Sequence, residues 1–299
     1  MRETMIVRKL SGKGEITANL NEICKEKGEF INDLRIALCA PSYPIDLEFP
    51  VIKRILLKSE PIDYMDVYDE RILHWWGMFK HSYSFLGPIG ISLSGLTGVS
   101  LSTSPRWITL PTVTSFFERA VLPLKQDWDL RIEWDEQVDV EAVLIIQLLK
   151  LEAGESIFDH IESLTIPYMI HNFFEAGERR YWPPAGYRYV ETVVMLDGMV
   201  DREVEMVIHT PYRTIRVPWF ALVELTERKF GGGNPKVAMI PWDEMSLAWG
   251  RRGLDLTYAP WAEAKDLLAG CATLWKANVF FEFEGYDGRV QFLHVVEKG

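Results

Sequence analysis

The sequence has little cysteine and none of the short motifs that indicate a particular reaction. Its 299 residues include three cysteines, Cys24, Cys39 and Cys271. An odd number without a Cys-x-x-Cys pair argues against a disulfide framework or a zinc knuckle. The six histidines never reach metal-ligand spacing, and no Gly-x-Ser-x-Gly or phosphate-binding Gly-x-x-x-x-Gly-Lys pattern occurs. The sequence therefore predicts no metal, no cofactor and no catalytic residue.

Long apolar runs and an excess of positive charge are also absent. No run approaches the roughly 18–20 apolar residues of a membrane-spanning helix, and the first residues lack an apolar signal region. We therefore expect a soluble or peripheral protein. The net charge of −11 and the pI near 5.1 argue against a general or sequence-specific nucleic-acid binder, since phosphate binding relies on clustered Lys and Arg.

Apolar and aromatic residues are abundant. The hydrophobic content is 48%, with 11 tryptophans and 15 phenylalanines, which is ample for a core. Tryptophan is favoured both in cores and in protein interfaces. The composition therefore indicates a globular protein, with a slight preference for one that has large contact surfaces.

The first part of the chain reads as an arm followed by strands. Residues 1–30 are polar and predict a flexible N-terminal arm, with a single domain over 31–299. Apolar stretches at Leu34–Ala40 and Val51–Leu57 predict two strands. Between them, three prolines hold Pro41–Pro50 in an extended conformation.

The stretch after Pro61 predicts the main helix. Pro61 disfavours helix before it, Asp63 is a suitable cap, and Asp66 places negative charge in the first turn. Apolar residues then recur at steps of three and four as far as Phe79. We expect a helix from Asp63 to about Lys80, with Trp75 largely buried.

The remaining segments predict a β-rich middle and an α+β end. Within an insert at about 123–233, the most explicit hairpin joins Arg188–Leu196 to Val200–His209, and Phe220–Leu225 predicts a further strand. A helix over about 260–275 and a closing hairpin over about 278–296 complete the chain. The predicted fold class is α+β, with antiparallel β-sheet layers covered by a few helices.

Acidic residues are dense between Asp127 and Glu136. Two carboxylates beside Trp128 or Trp134 would suit a carbohydrate-active or other hydrolase. Solvated charges on an edge strand, where they block sheet extension, are the alternative interpretation.

Two segments resemble viral sequences. Tyr43-Pro44-Ile45-Asp46-Leu47 resembles the Tyr-Pro-x-x-Leu late-domain peptides with which enveloped viruses recruit host budding machinery. Lys58-Ser59-Glu60-Pro61, followed by Tyr64-Met65-Asp66-Val67 and then His74-Trp75 on a helix, resembles the matrix proteins of rhabdoviruses. The terminal helix and hairpin fit the same family. The residues that carry this second resemblance are Tyr64, Asp66, Val67, His74 and Trp75.

The resemblance implies a non-enzymatic, matrix-type viral structural protein that self-assembles and bridges the nucleocapsid and the membrane during virion assembly and budding. Its implied partners are other copies of itself, the viral nucleoprotein, the peripheral membrane and host budding machinery. Its implied locations are the virion, the host cytoplasm and the inner face of the host membrane. The alternatives are the hydrolase and a viral movement or capsid-like protein.

Contact residues follow from this interpretation. The extended segment with Tyr43, Pro44 and Leu47 is the candidate for self-association. The candidates for membrane or nucleocapsid contact are the basic residues Arg8, Lys9, Lys13, Arg251 and Arg252.

Overall fold

The computed structural model describes ten stretches of the chain, and the chain divides into two compact units, Met1–Met169 and Ile170–Gly299. The described residues are 1–39, 50–81, 106–109, 121–159, 166–175, 180–210, 214–231, 234–242, 254–256 and 279–298. Each unit is built mainly of antiparallel strands. The predicted helix over about 260–275 lies outside the described residues, as does most of the segment between the strands predicted at Leu34–Ala40 and Val51–Leu57.

The described residues of the first unit contain nine strands, two α-helices and a short 3-10 helix at Ile157–Asp159. The strands are β1 (Arg2–Ser11), β2 (Glu15–Asn19), β3 (Phe30–Cys39), β4 (Ile52–Ser59), β5 (Ile62–Val67), β6 (Arg106–Thr109), β7 (Leu122–Pro123), β8 (Asp129–Trp134) and β9 (Glu141–Lys150). The α-helices are α1 (Leu20–Cys24) and α2 (Glu70–His81). One sheet has the order β1-β9-β3-β6, with β7 also beside β3, and the other has the order β5-β4-β8-β2.

The second unit repeats this plan. Its strands are β10 (Tyr168–Phe174), which starts just before the boundary, β11 (Tyr187–Leu196), β12 (Glu205–His209), β13 (Thr214–Pro218), β14 (Val237–Pro241), β15 (Leu254–Asp255), β16 (Phe280–Glu284) and β17 (Val290–Lys298). The α-helix among its described residues is α3 (Trp219–Phe230). One sheet has the order β10-β17-β11-β14, with β15 also on β11, and the other has the order β13-β12-β16.

The two units share one topology. In unit 1 the first, last, third and sixth strands form one sheet, and the second, fourth, fifth and eighth form the other. The strands of unit 2 occupy the corresponding positions. The place of β2, which pairs with β8 in unit 1, is taken in unit 2 by Tyr181, which forms an isolated antiparallel bridge with Phe281 on β16. In both units a helix follows the strand that ends the second sheet. Four strands in each of two sheets with this connectivity define a jelly roll, so the chain contains two in tandem.

Alternating side chains explain how the sheets of unit 1 form a core. Along β8, Leu130, Ile132 and Trp134 are buried, while the intervening residues are half-buried. In β9, residues 142–146 are all buried. Because each sheet buries an apolar face, those faces meet inside a compact two-sheet unit.

Aromatic rings join the two sheets of unit 2. The ring of Phe292 on β17 lies 5.9 Å from that of Phe281 and 6.0 Å from that of Phe283, both on β16. Tyr181 stacks on Phe292 with ring centroids 4.1 Å apart. Each such pair stabilises the fold by about 0.5–1.5 kcal/mol beyond the contribution of its buried area, so this cluster stabilises the packing of one sheet on the other.

The predicted fold class is wrong. The described chain is β-rich, with large multi-stranded sheets of jelly-roll type, where we expected sheets covered by a few helices. Two helices of 12 residues, α2 and α3, and the shorter α1 are the α-helices of the described residues. The physical reason is that each sheet buries its apolar face against another sheet, so helices are not needed as a cover.

Both predicted hairpins pair the wrong strands. β11 pairs with β14, β15 and β17, whereas β12 pairs with β13 and β16. The two strands of the closing hairpin are likewise separated, since β16 pairs with β12 and β17 with β11. The expected strand at Phe220–Leu225 is part of helix α3, which places Leu222 and Thr226 in the core at helical spacing.

The main helix begins later than predicted. Residues 62–67 form β5, paired with β4 across the turn at Glu60-Pro61, and the helix starts at Glu70. The Asp69 carboxylate accepts a hydrogen bond of 2.9 Å from the backbone N–H of Arg71, as a residue before a helix does. Trp75 is half-buried, and its neighbour Trp76 is fully buried.

Residues 1–30, where we expected a flexible arm, contain β1, β2 and α1. β1 pairs with β9 in an unbroken register from Arg2 with Lys150 to Ser11 with Glu141. The segment is polar because β1 lies at one end of its sheet order, where one edge and much of one face meet water. The segment predicted as an insert, 123–233, spans strands of both units.

Candidate functional site

The acidic stretch of unit 1 is a ladder of paired charges. Arg131 on β8 lies 2.9 Å from a carboxylate oxygen of Glu15 and 2.9 Å from one of Glu133. The side chain of Asn19 donates to Asp129 over 3.2 Å. β8 lies between β4 and β2, so it is not the edge strand that the alternative interpretation of these acids assumed. Its charges lie on the solvent face of an inner strand.

An open polar cavity of about 800 Å³ adjoins this ladder. It is lined by Asp127 and Asp129 together with residues such as Glu22, Glu60 and Asn21. The amide of Asn21 donates to the backbone oxygens of Leu124 and Gln126, so it is used in holding the loop.

A glycosidase of the predicted kind needs one carboxyl group with a raised pKa. The pKa of Asp135 is lowered instead, first by the hydrogen bond from the backbone N–H of Gln137 and then by the charge of Lys53. The contacts of Asp129, Glu133 and Asp135 are those of a structural charge ladder, and the geometry does not favour the hydrolase.

Unit 2 carries a second ladder on its smaller sheet. Arg216 on β13 lies 3.2 Å from Glu205 and 2.6 Å from Glu284. Glu282 pairs with His209 at 2.8 Å and with Arg180 at 2.9 Å. These pairs lower the pKa of Glu284, and they lower that of Glu282 against the effect of burial. Each jelly roll therefore has one wall covered by alternating charges.

A buried polar network lies inside unit 2, around His294. Its ring nitrogens lie 2.7 Å from the hydroxyl of Tyr181 and 2.8 Å from that of Thr192. The indole N–H of Trp242 donates to the same threonine hydroxyl over 2.7 Å. His294 is fully buried, and burial, with the charge of His171 second, lowers its pKa to about 3. A neutral, inaccessible imidazole with both nitrogens occupied is a structural tie between strands.

The sequence did not predict this network. Tyr181, Thr192, Trp242 and His294 lie 50 to 113 positions apart where they bond to one another. The available signal was a polar residue, His294, inside a strongly apolar strand, which indicates a satisfied buried group.

The residues of the matrix resemblance occupy two different elements. Tyr64, Asp66 and Val67 lie on β5, and His74 and Trp75 lie on α2. The ring of Tyr64 packs 5.0 Å from that of Trp128 and 5.0 Å from that of Tyr168, which makes it a core residue.

Asp66 forms a two-point ion pair with Arg54 across the sheet, at 2.7 and 2.8 Å. The pair raises the pKa of Arg54 and is about one-third exposed. We expect Asp66→Asn to lower the free energy of unfolding by about 1 kcal/mol, since exposed pairs are weakened by solvent. Urea unfolding in low and high salt measures this, with Asp63→Asn, a site exposed on the same strand, as the control. A loss that does not shrink in high salt would contradict an ion-pair origin.

The predicted contact residues lie on β1, in the turn that follows it and outside the described residues. Arg8, Lys9 and Lys13 are exposed, and Lys9 pairs with Glu141 at 2.7 Å. Arg8 and Lys9 are consecutive on a strand, so their side chains point to opposite faces. Tyr43, Pro44, Leu47, Arg251 and Arg252 lie outside the described residues. The contacts assigned to these residues stay predictions.

Neither a membrane-crossing helix nor a metal cluster is found in the described part of the chain. Among those ten stretches, no helix combines the length and the apolar character needed to cross a bilayer. Within the same residues, no three His, Cys, Asp or Glu side chains are grouped so as to hold a metal ion.

Comparison of the fold with solved structures gives full-length matches. No protein-family model and no curated protein sequence matches the chain. The MCP of STIV, the Sulfolobus turreted icosahedral virus, is similar at 13% identity and a TM-score of 0.66, over 99% of this chain and 97% of that one. The major capsid protein P2 of bacteriophage PM2 is similar at 8% identity and 0.56, over 99% and 97%. PBCV-1 VP54 is similar at 9% and 0.51, over 99% and 85%.

These identities are low, so the likeness concerns the fold. It extends over both jelly rolls, because the alignments cover nearly all of each chain. The fold of this chain is therefore shared with these three proteins, none of which is a rhabdovirus matrix protein, so they do not support the rhabdovirus matrix resemblance.

Proposed function

We propose that this chain is a non-enzymatic structural protein of a virus particle, of the capsid type, which self-associates to build the shell of the virion. The observation that carries the proposal is the full-length match of both jelly rolls to the STIV MCP, at a TM-score of 0.66 over 99% of this chain. Jelly rolls also occur in lectins and cupins, and a fold alone does not fix a function. The agreement in length and in the number of units supports a capsid protein over those alternatives.

The construction of the two units suits a shell protein. Each unit buries its apolar faces between two sheets, so the chain presents stiff walls with little internal freedom. The charge ladders around Arg131 and Arg216 keep one wall of each unit polar, which leaves other surfaces for contacts between copies. The hydrolase alternative lacks comparable support, since the carboxylates of β8 serve in pairs and hydrogen bonds.

The proposal replaces the matrix interpretation with the capsid-like alternative. The matrix interpretation and the capsid-like alternative both include self-association and a location in the virion. Contacts with a nucleocapsid, a membrane or host budding machinery, and a location in the host cytoplasm or at its membrane, stay predictions from the sequence.

Sedimentation and negative-stain microscopy of the purified full chain test the proposal. We expect association that grows with protein concentration and ordered shells, sheets or small rings of copies. A chain that stays monomeric over about a hundredfold range of concentration and at both low and moderate salt would overturn it. Hydrolysis of a glycan substrate by that monomer would favour the enzyme instead.

A further inference from the structure

Helix α3 of unit 2 borders an open groove of about 460 Å³. Its apolar lining includes Val200, Phe220, Val223 and Pro235, and Trp219 lies beneath them at 2% exposure. The indole N–H of Trp219 donates to the backbone oxygen of Pro235 over 2.7 Å. This bond ties the start of α3 to the segment before β14, so the groove has a fixed floor.

The groove is flanked by exposed apolar side chains. Phe220 is 63% exposed, and Met199, next to the groove residue Val200, is 96% exposed. The corresponding helix of unit 1, α2, has no exposed residue from 70 to 79. Exposure on α3 is therefore not demanded by the topology, and an exposed apolar surface of this kind marks a contact site.

Charge identifies the kind of partner. Arg202, Glu227 and Asp201 line the groove and are exposed, and the Asp201 carboxylate accepts a hydrogen bond of 2.6 Å from the backbone N–H of Arg202. Within the stretches that the structure describes, the side chains of Arg202 and Glu227 have no ion pair, with each other or with a third residue. The chain as a whole carries −11, so two copies repel each other unless they meet where the local charges balance. A groove that carries a cation beside acids can meet its own copy with opposite charges facing, because in a two-fold contact a residue of one copy that meets a different residue of the other does so twice.

We propose that this groove is a two-fold contact between two copies of this chain, in which Phe220 of each copy enters the groove of the other and Arg202 of each pairs with Glu227 of the other. The inference rests on the proposed function, since it names one surface through which self-association occurs. The apolar centre supplies affinity, and the two charge pairs at its rim set the register.

Charge reversal tests the two-fold pairing. We expect Arg202→Glu and Glu227→Arg each to weaken association by about tenfold or more, because each places two like-charged pairs at the contact. Combining both changes in one chain restores opposite charges and should recover association. Mixing the two single variants should also recover it, since each then meets its complement. Analytical ultracentrifugation of the full chain measures all four cases.

A second pair of variants tests the groove itself. Phe220→Asp should abolish the contact, whereas Leu225→Asp should leave it unchanged. Leu225 is a matched control, because it lies on the same helix with 60% exposure and does not line the groove. Both positions are exposed, so circular dichroism and the melting temperature should stay at the wild-type values.

The outcomes separate this inference from the proposed function. If all variants assemble as the wild type does, or if Leu225→Asp disrupts as strongly as Phe220→Asp, the groove contact is wrong while a shell protein stands. If Phe220→Asp assembles normally and loses binding to vesicles of anionic lipid, the groove faces lipid and the inference is again wrong. A wild type that never self-associates would overturn both.

Discussion

Lowering the pH from 7 to about 4.5 should reduce the free energy of unfolding of unit 2 by about 3 kcal/mol through His294 alone. The folded chain holds this imidazole neutral, with its pKa lowered from 6.5 to about 3. Below pH 6.5 the unfolded chain binds a proton that the folded chain does not, so stability falls as the pH falls across that window. Above pH 6.5 both states are neutral, and the contribution to stability is complete.

The groups that face His294 explain why it does not take up a proton in the folded chain. The hydroxyls of Tyr181 and Thr192 bond to its two nitrogens, and the rings of Phe292 and Tyr189 lie 5.6 and 5.0 Å away. His171 is the nearby titratable group of the same positive sign, and it lowers the pKa further. Among the residues that the structure describes, no carboxylate forms a hydrogen bond or an ion pair with the His294 ring, so no opposite charge offsets the cost of burying a protonated imidazole.

Urea unfolding followed by tryptophan fluorescence at pH 7 and 4.5 measures the effect. The variant His294→Gln keeps a polar side chain and removes the titration, so its loss of stability between the two pH values should be about 3 kcal/mol smaller. Carboxylates with lowered pKa values, such as Glu282, also weaken the fold in acid, and they contribute equally in both proteins. An equal pH dependence in the variant and the wild type would refute the role given to His294.

Replacing Trp76 with alanine should cost about 3–5 kcal/mol, because a fully buried indole leaves a cavity that its neighbours fill only in part. Trp75→Ala should cost less than half as much. Its ring is half-buried against Phe79, with centroids 5.9 Å apart, and against His74 at 5.8 Å.

The two variants are matched controls, since they remove the same side chain at neighbouring positions of α2. Urea unfolding at pH 7 measures both. An equal cost, or a larger cost for Trp75, would show that the helix presents its other face to the core.

The error in the start of α2 has a physical cause. Met65, Tyr68 and Ile72 fall at helical spacing, yet Tyr64, Met65 and Val67 are buried on a strand. Short apolar runs fit either period. The strand is stabilised by its pairing with β4 and by the ion pair between Arg54 and Asp66. Both interactions involve residues about ten positions away.

The buried network around His294 and the groove beside α3 could not be predicted from the sequence for a similar reason. His294 shows as a polar residue in an apolar strand, but its partners lie far along the chain. From the sequence, Phe220 is predicted to lie on a strand or in the core. Its exposure on α3 depends on how the unit packs, which the local sequence does not specify.

The sequence by itself determined where many strands lie and which way their side chains face. The apolar alternation of β8 and the runs at β3, β4, β11 and β17 are local, since successive side chains on a strand point to opposite faces. It did not determine which strands are neighbours. β11 and β12 follow one another in the chain but belong to different sheets, as do β16 and β17. Every strand offers the same backbone donors and acceptors, so these groups do not select one neighbour over another. The neighbours are determined by the tertiary structure, because the apolar faces of the two sheets must pack against each other.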